Sequence, residues 1–390
     1  MLLGLLFAPF ALSIGMLILL LNALVNRGLP QHFNTLMHHP AMWSVMAVFF
    51  LYLLSGWNSE DISYYLQRLR IKLPFLILPI AFIAIPRLDK PVYFRLLSFF
   101  FWLIVLTCLI ILGIYFSNWA YYNHQYEFGK IMPTPVQHIR FSLLVCVAFA
   151  AGVHLREQGF YWKFPGEKQW TGLALLFLIV FLHILAVRSG LLALYALLFF
   201  YTIRYIARSR RWWAGIGMLM LGSAALFAAY RLVPTFQNRV HYTLYSIDLF
   251  RKGQDLRELS DSHRLGSIVA GWDIANAHPW TGVGIGDIKN ETTQYLEAHY
   301  PEIAGYGLMP HNQFLFVYTA TGLIGLGIFV FATCYPLFYR KSYRDCLFAS
   351  LQIIYISSFL VEHTLETQIG TAAYLFFQLG GIRHADQAAV

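Results

Sequence analysis

Three side chains at the edges of apolar runs are suited to chemistry: Arg188, Arg264 and His311. His311 opens the stretch "HNQFLFVYTATGLIGLGIF", so an imidazole stands at the mouth of a long apolar run. Such a group can draw a proton from a hydroxyl near neutral pH. It can equally satisfy a free backbone group at a helix start, as can its neighbour Asn312. Arg188, in "HILAVRSGLLAL", sits between two apolar runs with almost no loop. Its guanidinium either snorkels at a helix end or offers phosphate oxygens a rigid fork of donors, a pairing that gains strength where water is scarce. Arg264 opens a helix-like stretch in "LSDSHRLGSIVAGWDIANAHPW"; taken alone it is an ordinary solvated arginine. Two arginines facing one mouth would suit a pyrophosphate.

The elements that must position these groups are apolar. Of 390 residues, 58% are hydrophobic and 12% charged, with 33 Phe, 24 Tyr and 10 Trp, which argues against a soluble globular fold. The expected fold class is an all-α, polytopic integral membrane protein. A span needs roughly 17 to 25 mostly apolar residues, because lipid leaves no backbone group unsatisfied. About eleven such runs occur, near 1–25, 41–57, 71–86, 92–117, 139–155, 171–187, 190–206, 212–230, 310–339, 346–361 and 367–382. The first begins at Met1 without a basic flank or small-residue cleavage site, so no removable signal peptide is expected, and the count leaves room for one further N-terminal span. Cys108, Cys146, Cys334 and Cys346 fall in or beside apolar runs and read as small buried side chains, with no disulfide framework or zinc site. The net charge of +9 is scattered between apolar runs rather than gathered on one face, which argues against nucleic acid.

Those scattered charges read as topology signals. Arg27, Arg87, Lys90, Arg95, Arg156, Lys163, Lys168, Arg204, Arg208, Arg210, Arg211, Arg340, Lys341, Arg344 and Arg383 fall in one set of alternate loops and the C-terminus. The opposite short loops hold only Arg68, Arg70, Lys72, Lys130, Arg140 and Arg188. The first set is then cytoplasmic. Arg188, the polar segment 231–309 and His311 are expected on the far side, the periplasm of a Gram-negative cell. The basic flank of 58–70 sits on the wrong side in this scheme.

Three parts follow: N-terminal spans 1–230, a periplasmic loop domain 231–309, and C-terminal spans 310–390. The loop is too long for a plain connection, and its expected helices lie near 237–252, 262–277 and 287–299, with polar turns "RKGQDLRELSDS" and "HPWTGVGIGD" between them. The glycines of "TGVGIGD" follow no expected strand and lack the G-x-G-x-x-G spacing, so the segment reads as a tight turn rather than a phosphate loop. No D-x-D or E-x-D triplet occurs, which weighs against metal-dependent glycosyl transfer built on paired carboxylates.

His311-Asn312, nine residues, then Gly322-Leu323-Ile324-Gly325 resembles the signature of the O-antigen ligase family, His-[Asn/Ser/Gln]-x9-Gly-x-x-[Gly/Thr/Tyr]. The upstream "SHRLGSIVAGWDIANAHPWTGVGIGD" is similar to the arginine-bearing helix and "hPltGvG" turn of that family's large loop. "VRSG" resembles its arginine at the outer end of a span, with Val187 where Ser is usual. The resemblance implies an inner-membrane protein of about twelve spans with a glycosyltransferase-C-like core, using neither metal nor nucleotide sugar and no cofactor. It implies a glycan donor on undecaprenyl pyrophosphate and, for ligases, a sugar hydroxyl of lipid A-core as acceptor. His311 would then be the base, Arg188 and Arg264 would stabilise charge on the departing pyrophosphate, Asn312 would give support, and direct displacement would invert the anomeric centre. Gly322 and Gly325 are assigned to close approach of a neighbouring helix.

A polysaccharide polymerase and a protein O-oligosaccharyltransferase share this donor and remain open beside the ligase. A lipid-linked glycan transporter would instead call for ionisable residues at mid-membrane and inverted repeats with broken helices; neither is visible in the sequence.

Overall fold

A computed structural model describes residues 1–86, 89–159, 166–253 and 259–388. Arg87, Lys163 and the 254–258 part of the polar turn lie outside the described residues. The rest is helix, turn and loop, with no strand among the described residues. In chain order the helices are α1 (Leu2–Phe7), α2 (Pro9–Val25), α3 (Leu29–Met37), α4 (Pro40–Leu54), α5 (Ile62–Ala84) and α6 (Lys90–Ser117). Then come α7 (Trp119–Glu127), α8 (His138–Glu157), α9 (Glu167–Leu185), α10 (Arg188–Ser209), α11 (Trp212–Leu232) and α12 (Pro234–Lys252). The last are α13 (Ser260–Ala277), α14 (Ile288–His299), α15 (Pro301–Ala304), α16 (Gln313–Phe338), α17 (Cys346–Val361) and α18 (Gln368–Ala388).

Seven helices among the described residues are long and apolar enough to cross a membrane, or eight if the pair Phe10–Val25 and Leu29–Met37, bent by 108°, is one span. All-α membrane architecture follows directly from this. Helices also cover the apolar runs at 71–86, 346–361 and 367–382. There α5 carries Arg68, Arg70 and Lys72 in its first half, and α17 has only 16 residues. None of the four cysteines is in a disulfide.

The chain divides into two compact units. The first comprises Met1–Arg87, Leu249–Ala349 and Phe359–Val390. Within it α4 packs on α5 and α16, α2 and α18 pack on α5, and α13 packs on α14 and α16. The second comprises Leu88–Asp248 and Ser350–Ser358. Its centre is α8, buried along nearly its whole length against α6, α9 and α10.

Helices α12, α13 and α14 fall where the sequence places them. Ala270 and Ile274 of α13, Leu296 of α14, and Ile303 and Ala304 of α15 form a small core of their own, with Phe250 and Tyr300 packed on it. That core fixes α13. A second contact, Ala275 with Leu315 and Tyr318, holds α13 to the head of α16.

Two sequence expectations change. Arg68, Arg70 and Lys72 are not loop residues, since Asp61 caps α5 by accepting from the Tyr64 amide and the helix runs on from Ile62. Nor is the first unit free of ionisable groups inside its helices. Lys72, midway along α5, is fully buried and donates to a Glu366 carboxylate oxygen at 2.8 Å. That oxygen also accepts from Tyr52 at 2.5 Å and Gln313 at 3.0 Å. A lysine whose charge is met inside the protein is no topology signal, so Lys72 drops out of the loop count.

Candidate active site

His311 lies in the loop before α16, and Asn312 begins that helix. Extended at φ −155°, Asn312 accepts from the Leu315 amide at 2.9 Å, an N-cap. Its side-chain amide donates to Leu360 O at 2.9 Å, tying the end of α17 to the start of α16. Gln313 continues the tie: its oxygen accepts from the Leu365 amide at 2.8 Å while its nitrogen donates to Glu366. The turn 362–367 is therefore pinned beside His311.

That turn brings Glu362 and His363. His311 Nδ1 and His363 Nδ1 are 3.2 Å apart, with ring centroids at 4.8 Å and planes 24° apart. Glu362, only 3% exposed, meets Arg264 Nη2 at 2.5 Å. On the other side, the His311 amide donates to Ser267 Oγ at 3.4 Å, and that hydroxyl donates to Arg264 O at 2.8 Å. Gly271 lets α13 come this close, since a Cβ there would lie 2.6 Å from Pro310 Cγ. Arg264 and His311, expected together, are thus joined through Ser267 and through Glu362–His363.

The donor atoms of His311, Glu362 and His363 all lie within 4.8 Å of one another, a spacing that a metal ion could bridge. Here the carboxylate already faces a guanidinium, and a second cation beside Arg264 would meet its repulsion. The arrangement sets an imidazole pair next to a guanidinium balanced by a buried carboxylate. Glu366 supports it from below. Burial alone would push its carboxyl up, but the Lys72 ammonium, and then Arg68, hold it below the ordinary glutamate value.

Arg188 belongs to the second unit. Helix α9 ends at Leu185, Ala186 turns the chain in the left-handed conformation (φ 51°), and α10 starts at Arg188. The half-buried guanidinium donates to Thr243 Oγ1 at a long 3.5 Å. Tyr126 and Thr235 donate to the Leu185 and Ile184 carbonyls and so complete the end of α9.

In the "TGVGIGD" turn the amides from Gly282 to Asp287 are all engaged within the protein. The amides of Gly282, Val283, Gly284 and Asp287 donate to the carbonyls of His278, Thr319, Ala320 and Gly284, and those of Ile285 and Gly286 to Ser55 and Ser59 hydroxyls. Two of its acceptors, the Thr319 and Ala320 carbonyls, belong to a broken α16. Gly322 sits in the break at φ 65°, ψ −170°, and a Cβ there would lie 2.2 Å from the Trp280 carbonyl carbon. The close approach at Gly322 is thus made by this turn rather than by a helix. Gly325 does face a helix, with Leu51 of α4 at 3.1 Å from its would-be Cβ.

Sequence reasoning does not single out Glu362 or His363. The signal is "VEHTLE", two carboxylates and an imidazole between two apolar runs on the same side as His311.

The fold and site define a polytopic, all-helical membrane protein whose polar centre is built on loops between apolar helices. A family model described as O-antigen ligase matches residues 173–330, a stretch that contains Arg188, Arg264, His311 and Gly322. Over those residues the chain is similar to the O-antigen ligase family. No curated protein matches the chain.

Proposed function

We propose that the protein transfers a glycan from undecaprenyl pyrophosphate to a sugar hydroxyl of lipid A-core, on the periplasmic side of the inner membrane, without metal and with inversion. His311 takes the acceptor's proton, and Arg264 stabilises charge on the departing diphosphate. Arg188 is assigned to the same diphosphate from its residue type and its place at the head of α10. Asn312 supports by capping. The observation that carries this reading is that His311 and Arg264 share both Ser267 and the Glu362–His363 turn. A base and an anion-binding cation held in one frame is what acyl-free glycosyl displacement from a diphosphate requires.

The acceptor is decided by incubating the purified protein with a lipid-linked glycan and, in separate reactions, lipid A-core, a second lipid-linked glycan or a pilin-like protein. Transfer to lipid A-core alone is the expected result. Chain growth would make it a polymerase, and a glycosylated protein an O-oligosaccharyltransferase. A transporter, which the buried Lys72–Glu366 pair would favour, is the outcome if His311→Ala abolishes lipid movement across the bilayer while leaving transfer intact.

A further inference from the structure

We propose that His363 is the positioning residue of His311, fixing which of its nitrogens is basic, and that Glu362 is the counter-ion of the pair. The inference rests on the reading of His311 as the base.

A neutral imidazole carries one proton, on either Nδ1 or Nε2, and only the unprotonated nitrogen can act as a base. His311 Nδ1 faces His363 Nδ1 at 3.2 Å. Two such nitrogens share one proton at that distance: one donates, the other accepts. If His363 accepts, its own proton is on Nε2, His311 is protonated at Nδ1, and His311 Nε2 is left with its lone pair. A neighbour that holds an imidazole in one tautomer does the work done elsewhere by a carboxylate behind a catalytic histidine, where the wrong tautomer costs about 10⁴-fold.

The step balances as follows. The acceptor O–H bond breaks and its proton goes to His311 Nε2. The freed oxygen pair forms the bond to the anomeric carbon, whose bond to the diphosphate oxygen breaks, that electron pair leaving on the diphosphate. His311 is now an imidazolium and returns its proton to water after the product departs. During the step its positive charge lies against His363 and within 4.8 Å of the Glu362 carboxylate. Glu362 also contacts Arg264, so one buried carboxylate sits between the charge that appears on the base and the cation assigned to the leaving group.

The neighbours hold His363 in place for this task. Leu360 O accepts from Asn312, and the Leu365 amide donates to Gln313, so the turn is tied on both sides of His363 to the residues that follow His311. Phe316 also packs near the His363 ring, centroids 6.5 Å apart.

The test compares His363→Ala, His363→Phe and His363→Asn with the parent and with His311→Ala, each inserted in liposomes and checked for unchanged thermal unfolding. Asparagine carries an oxygen acceptor near the place of Nδ1; phenylalanine keeps the ring but no acceptor. We expect Ala and Phe to lower kcat for glycan transfer by ~10²-fold or more with KM for the lipid-linked donor unchanged, and Asn to recover most of the loss. Ala and Phe within a few-fold of the parent while His311→Ala is inactive would overturn the positioning role and leave the base intact. Asn as inactive as Phe in a folded protein would also overturn it. An active His311→Ala would remove the base, and the inference with it.

Discussion

The Arg264 guanidinium lies 2.5 Å from the Glu362 carboxylate, one residue from the imidazole that stacks on His311. This contact is almost dry on the carboxylate side, so its two ends fail differently. Arg264→Ala removes the cation proposed to bind the diphosphate and leaves a buried carboxylate unbalanced. Transfer is expected to fall by ~10²-fold or more, with a lower thermal unfolding midpoint. Arg264→Lys keeps the charge without the planar fork and should fall between. Rates measured alongside unfolding in detergent check both; unchanged transfer by Arg264→Ala would remove it from the site.

Arg188→Ala is expected to lower transfer by a similar ~10²-fold, with the protein still inserted and folded. Donor turnover in proteoliposomes measures this, and parental turnover would take Arg188 out of the diphosphate clamp.

Lys72 and Glu366 are both fully buried. Breaking such a pair from one side costs about 3–5 kcal/mol, because the remaining charge stays uncompensated. Lys72→Met and Glu366→Gln should each destabilise strongly, and the double variant should be more stable than Lys72→Met. A double variant whose loss equals the sum of the two single losses would show that the pair is not coupled.

Two carboxylates give a direction to the pH dependence. Burial would raise both, but Lys72 and Arg68 hold Glu366 low, and His39, then Tyr339 and Arg340, hold Asp386 low. A carboxylate with a depressed folded value contributes stability above its unfolded value, about 4.3 for Glu and about 3.9 for Asp, and that stability is lost as pH falls through the folded value. Unfolding midpoints should therefore be flat from pH 7 to about 5 from this source and drop below about pH 4. In Glu366→Gln the drop should be smaller. An unchanged acid limb would show that Glu366 does not drive it.

Gly322→Ala should be far more damaging than Gly327→Ala, although both glycines are in α16. Gly322 adopts a left-handed φ of 65° with Trp280 backbone at 2.2 Å from a Cβ, whereas nothing lies within 4 Å at Gly327. With ψ at −170° this is a region essentially restricted to glycine, and the backbone conformation alone costs roughly 1–3 kcal/mol for another residue, before the clash. Thermal unfolding of the two variants is the check; equal midpoints would contradict the docked turn.

Much of this was legible in the sequence. The helical, membrane-spanning class followed from long apolar runs, and His311, Asn312 and Arg264 stood out because polar groups beside such runs are few. What was not legible depended on contacts remote in the chain. His363 is 52 residues from His311 and meets it only because Asn312 and Gln313 tie the two turns together. Lys72 looked like a loop charge because its partner is 294 residues away. The break at Gly322 was hidden because hydrophobic periodicity continues across it, and a turn from 279–284 rather than a helix fills the gap.

The most direct measurement is release of undecaprenyl pyrophosphate from a labelled lipid-linked glycan in proteoliposomes containing lipid A-core, for the parent and for His311→Ala. The account predicts release matched one for one by glycan on lipid A-core in the parent, and a rate at least ~10²-fold lower in the variant with donor still bound. Release at the parental rate by His311→Ala would contradict it.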